Sequence, residues 1–152
     1  MGIQDSLEQG SVEGIEDGQF RLVKDWLARL VERHNGIAGT VYEPTGPDEL
    51  ALVVTHNVDD LETIRRIPRG EGIAGLAFER NALISTCAWN LGKERRTTPR
   101  YKFVDGAAII AVPVHGAAGR VRAVVGITFR DNTVMDDAQL VAIDREAAAL
   151  PE

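Results

Sequence analysis

Residues Arg69–Asn81 read RGEGIAGLAFERN, with Gly70, Gly72 and Gly75 spaced as G-x-G-x-x-G. This spacing constrains the chain more than any other feature, because two incompatible folds use it. In one, the glycines join a buried parallel strand to a long helix whose N-terminus receives a dinucleotide pyrophosphate. In the other, they bend the chain into a short helix laid on an antiparallel sheet. The flanks decide between them. The preceding TIRRIP carries two arginines and ends in Pro68, unsuited to a central strand that needs every backbone donor. The following residues 72–81 barely reach the roughly 10–12 that a crossover requires. Glu94 is at about the right distance for a ribose-binding acid, but it sits in GKERR and not at a strand end. No second βαβ half follows. Gly70 and Gly72 are therefore read as a sharp turn into a short helix over 72–80. Gly75 lets that helix approach the sheet, and Ile73, Leu76 and Phe78 supply its apolar contacts.

The remaining pattern is one of hairpins. Phe20, Val23, Leu27 and Leu30 recur at helical spacing, with Leu22, Trp26 and Val31 widening the stripe. Asp17 is the expected cap of this first helix, and Asn35-Gly36 its stop. IAGTVYEP and LALVVTHNV read as strands around the turn TGPDE. LETIRRIP is a short extended piece, and ALISTCAW another strand. AAIIAVPVHG, buried on both faces, and VRAVVGITFRD pair across AAGR. Asp136 or Asp137 caps a last helix, with Leu140, Ile143 and Ala147 on its apolar side. The expected class is α+β, a mainly antiparallel sheet with helices laid on it.

The 152 residues suit one domain, with residues 1–15 as a flexible acidic tail and the folded domain over 16–152. The net charge of −6 disfavours nucleic acid and anionic membranes as partners. The N-terminus lacks the basic and apolar stretches of a signal peptide, and no apolar run is long enough to span a membrane. The single cysteine, Cys87, excludes an intrachain disulfide and fits a reducing cytoplasm.

Three stretches together resemble GAF domains. IPRGEGIAGLAFERNALIST is similar to the family's signature segment. AAIIAVPVHGAAGRVRAVVGITF resembles its closing hairpin, including the proline inside the first strand. TVMDDAQLVAIDREAAAL resembles its C-terminal helix. The resemblance covers residues 17–149 and implies a PAS-like architecture: a central antiparallel sheet of five to six strands, the N- and C-terminal helices on one face and a ligand cup on the other. It also implies small-molecule sensing and a homodimer through the terminal helices. No kinase, cyclase or DNA-binding segment accompanies the domain, so its signal is expected to pass to a separate output protein.

Candidate ligand-binding residues follow from that cup. The stretch 88–104 holds five bases, Lys93, Arg95, Arg96, Arg100 and Lys102, against the single acid Glu94. Arg95, Arg96 and Arg100 suit an anionic ligand; the plainer reading is a solvated loop. Trp89, Tyr101 and Phe103 flank the same run and either line an apolar pocket or pin the loop to the sheet. Phe78, Thr86 and Cys87 complete the candidate set. GAF-type free-methionine sulfoxide reductases use several cysteines, and Cys87 is alone. Bilin-binding members show a histidine near the cysteine, where this chain has Ala88. His34, His56 and His115 lack metal-ligand spacing. The expectation is a non-enzymatic regulatory module with no metal and no cofactor. The alternatives are an adaptor or dimerisation domain with no ligand, and a small thiol enzyme using Cys87.

Overall fold

The computed structural model describes residues 14–59, 61–62, 64–87 and 108–152. Among them are helices α1 (Gly14–Arg33), α2 (Gly72–Arg80) and α3 (Asp137–Ala147). The strands are β1 (Ala38–Pro44), β2 (Glu49–His56), β3 (Arg66–Pro68), β4 (Ile84–Ser85), β5 (Ala108–His115) and β6 (Val121–Phe129). The strands form one sheet in the order β3-β2-β1-β6-β5-β4, and every neighbouring pair is antiparallel. A dinucleotide turn needs a parallel pair, and none occurs among the described residues.

The glycine corner is built as its sequence requires. Gly70 and Gly72 have φ of +82° and +67°, the left-handed region that side chains avoid. A Cβ on Gly75 would lie 2.4 Å from the Pro68 carbonyl oxygen. Only glycine lets α2 sit this close to β3. The corner is closed by the Gly70 amide, which donates to the Gly75 carbonyl at 2.9 Å.

Strand alternation divides the core in two. On one sheet face Val41, Val125, Ile127, Ile110 and Val112 meet Leu27, Leu30 and Val31 of α1 and Ile143 and Ala147 of α3. On the other, Tyr42, Leu50, Val124 and Ala111 meet Ile73, Leu76, Ala77 and Phe78 of α2. The terminal helices therefore share one face, and α2 occupies the opposite one. Gly39 brings α1 close: a Cβ there would stand 2.7 Å from Val31 Cγ2. Arg33 Nη1 pairs with Glu146 Oε1 at 2.5 Å and His34 Nε2 reaches the same oxygen at 3.1 Å, tying α1 to α3. α3 begins with a reciprocal cap, in which Asp136 Oδ1 accepts from the Gln139 amide and Gln139 Oε1 from the Asp136 amide, both at 2.9 Å.

Two expected boundaries are corrected. α1 spans Gly14–Arg33, so Asp17 lies within the helix and not at the position before it; nothing between Gly14 and Asp17 interrupts helical backbone as proline would. The strand expected over ALISTCAW is only Ile84–Ser85. Past Ser85 the Thr86 amide still donates to the Ile109 carbonyl at 2.9 Å, but the returning Ile109 amide goes to Thr86 Oγ1 at 2.8 Å and the Cys87 amide to Ser85 Oγ at 2.9 Å. Local side-chain acceptors take over part of the main-chain pairing there. No helix among the described residues is long and apolar enough to cross a membrane.

Candidate functional site

The sheet face that carries α2 is hollow over its middle strands. A cavity of about 820 Å³ opens there. Register explains it. Thr40 on β1, Gly126 on β6 and Ala111 on β5 lie side by side across three strands, and Ala38, Thr128 and Ile109 form the adjacent row. Five of these six side chains are no larger than threonine, so this part of the sheet lies low. Tyr42, Ile73 and Ile67 rise around it. A Cβ on Gly126 would lie 2.6 Å from Thr40 Oγ1, so the Thr40 hydroxyl occupies the space above the glycine, at the centre of the floor.

One wall comes from residues 57–58, 62 and 64–67 and the other from the first turn of α2. The charged lining side chains all come from residues 62–71: Glu62, Arg65, Arg66 and Glu71. Arg65 Nη2 meets Glu62 Oε2 at 3.3 Å and Arg66 Nη1 meets Glu49 Oε1 at 2.9 Å, so both guanidinium groups are answered by carboxylates. Behind α2, the Arg69 guanidinium stacks over the Phe78 ring at 5.2 Å from its centroid.

Three of the residues expected at the cup are described, and none lines the cavity. Phe78 is buried beneath α2 in the apolar cluster of this face. Thr86 is spent on the β4–β5 junction, its hydroxyl bonded to Ile109. Cys87 packs in the other cluster, on the face of the terminal helices. Its carbonyl accepts from the Met135 amide at 2.9 Å. Burial pushes its thiol up to about 11, against a smaller opposing effect from the Ser85 hydroxyl. Trp89, Arg95, Arg96, Arg100, Tyr101 and Phe103 lie outside the described residues. Sequence reasoning missed Thr40, Gly126 and Thr128. The signal was present in VGITF, where Gly126 and Thr128 fall on one face and Val125, Ile127 and Phe129 on the other, and in Thr40 on the opposite face from Val41. Arg65 and Arg66 were read only as evidence against a central strand.

A smaller hollow of about 450 Å³ lies on the opposite face, between the start of α1, β2 and residues 150–152. Phe20 and Val53 border it, both partly open to solvent. Among the described residues no group of three or more His, Cys, Asp or Glu is placed to hold a metal ion.

An antiparallel sheet with both terminal helices on one face, and a short helix beside a hollow on the other, is the fold of GAF domains. Solved structures bear this out. The chain is similar to a type II free methionine-R-sulfoxide reductase from Thermoplasma acidophilum, at 16% identity and TM-score 0.69, over 90% of this chain and 94% of that one. It is similar to the GAF domain region of a putative membrane protein from Geobacter sulfurreducens PCA, at 13% identity and TM-score 0.68, over 91% and 95%. A GAF domain from a phosphoenolpyruvate-protein phosphotransferase of Coxiella burnetii matches at 19% identity and TM-score 0.63, over 87% and 81%. No protein-family profile and no curated protein sequence matches the chain.

Proposed function

We propose that this domain is a non-enzymatic regulatory module that holds a small molecule in the cup and passes its bound state to a separate partner protein in the cytoplasm. The observation that supports this reading is the cavity of about 820 Å³, within the range of small-molecule sites. Its lining is mostly apolar, with a few polar groups on the floor and charges at one wall, as such sites are commonly built. The basic run with Arg95, Arg96 and Arg100 extends the proposal to ligands that carry an anionic group.

The likeness to a methionine sulfoxide reductase raises an enzymatic alternative, and the placement of Cys87 argues against it. The chain's one cysteine is 1% exposed, lies on the face away from the cup, and has a thiol held protonated at neutral pH. The thiolate is the reactive form.

The test is native mass spectrometry of gently purified protein, followed by melting scans against a metabolite library. A retained or stabilising ligand is expected, since a molecule that binds only the native state raises its stability. The stabilisation should vanish in Ala38→Trp/Ala74→Trp, which fills the cavity. Absence of any bound mass and any stabilising compound leaves the ligand-free adaptor reading in its place.

A further inference from the structure

The cup floor has a chemistry of its own. Thr40 and Thr128 occupy adjacent rows of neighbouring strands, diagonal to one another across β1 and β6. Diagonal neighbours of this kind stand roughly 7 Å apart, close enough for one small functional group, or the two ends of an amide, to meet both hydroxyls. Thr40 Oγ1 lies over Gly126, in space that any larger residue there would take. Among the described residues neither hydroxyl has a hydrogen-bond partner, and both side chains line the cavity. Ala38, Ile109 and Ala111 surround them with apolar surface. The floor carries no charge among the described residues; Arg65 and Arg66 stand at the wall, already met by Glu62 and Glu49. A hydroxyl left facing an apolar ligand without a partner is strongly unfavourable. A pure hydrocarbon is therefore a poor occupant of the deep end, and an ionised group would find no countercharge there.

We infer that the cup selects a molecule with an apolar body whose inner end is a neutral hydrogen-bonding group, of the amide, lactam or alcohol type, read by Thr40 and Thr128. The inference rests on the small-molecule reading of the cup and adds the chemistry of the end that enters first. Threonine hydroxyls both donate and accept, so the pair serves either side of an amide. Any anionic group of the same ligand is left at the mouth. Gly126 is part of the device, because its missing side chain leaves room for the Thr40 hydroxyl.

Two probes of nearly equal shape separate the possibilities. Oxindole is a lactam, and indane is its hydrocarbon counterpart. Each is titrated into methyl-labelled protein, following the methyl signals of Thr40, Thr128 and Ile109 by NMR. Oxindole is expected to bind about tenfold more tightly than indane, the discrimination that one or two satisfied buried polar groups give. Thr40→Val/Thr128→Val keeps shape and β-branching and removes both hydroxyls; in it the preference should vanish or reverse. Thr40→Ser/Thr128→Ser keeps the hydroxyls and should retain it. Equal binding of both probes to the native protein overturns the inference and leaves the cup reading standing. So does an undiminished preference in the valine variant. Should neither probe move the floor methyls, the inference falls, and the cup reading is decided separately by the mass and melting measurements. If the valine pair does not fold, the single Thr128→Val variant is expected to show part of the same loss.

Discussion

Cys87 shows how a side chain can be plain in sequence and still be misplaced by it. Its neighbours in ALISTCAW are apolar, and a strand ending there places it at the rim of a cup. Ser85 and Thr86 instead take over part of the pairing with their own hydroxyls, and Cys87 falls on the helix-covered face. A buried thiol with its pKa raised to about 11 is a poor nucleophile. Native protein at pH 8 should therefore leave Ellman's reagent almost unreacted for hours, and one thiol should appear on denaturation. Rapid labelling of folded protein contradicts this placement. The glycines were easier to read, because their roles are set by backbone geometry. Gly75→Ala puts a methyl 2.4 Å from a carbonyl oxygen that is held in β3. Overpacking of this kind typically costs about 1–3 kcal/mol. Urea unfolding should show a lowered midpoint of that size with an unchanged slope.

Helices and hairpins were legible where their periods were long. The α1 stripe and the β5–β6 hairpin follow directly from spacing; the α3 cap was narrowed to Asp136 or Asp137, and the structure selects Asp136. Asp136→Ala should cost about 1 kcal/mol, since it removes one half of a reciprocal cap. Short elements were less legible. β4 spans two residues and β3 three, too few for period two to speak. The seam between α1 and α3 was invisible in sequence, because Arg33 and Glu146 are 113 residues apart. Burial acts to raise the Glu146 pKa, but hydrogen bonds from Arg33 and His34, with their charges, outweigh it and the carboxyl lies below its ordinary 4.5. A carboxylate depressed in the folded state stabilises above its unfolded pKa, and that contribution is lost as pH falls through the folded value. Arg33 is about half exposed, so the pair is screened and worth no more than roughly 0.2–1 kcal/mol. Glu146→Gln should lower stability by that amount at pH 7. The difference from the native protein should shrink as pH drops below about 4.5. A difference that grows on acidification would reverse the assignment.

The cup itself could not be seen one strand at a time. Thr40, Gly126 and Ala111 come from three strands, and only the register of β1 on β6 and β6 on β5 makes them one floor. The sequence read α1 more directly. Its seven apolar residues exceed what one face needs, and the excess stays on the surface: Phe20 and Leu22 are each 48% exposed, while Leu27 and Val31 are fully buried. On α3, Val141 is 51% exposed. Apolar side chains left open on both terminal helices, on the sheet face away from the cup, support the proposal that two copies associate through these helices. Such a contact would put the partner against α1, whose Leu27 and Val31 rest on Gly39, the residue before Thr40 of the floor. One strand then separates the ligand site from the interface, and a ligand that shifts β1 would bias helix packing by whatever affinity difference it has between the two arrangements. Sedimentation should show a dimer that dissociates on dilution. Phe20→Glu/Leu22→Glu should be monomeric with stability changed by less than about 0.5 kcal/mol, since half-exposed surface positions contribute little to the fold. A native protein that stays monomeric at millimolar concentration removes the dimer, and with it this route from cup to partner.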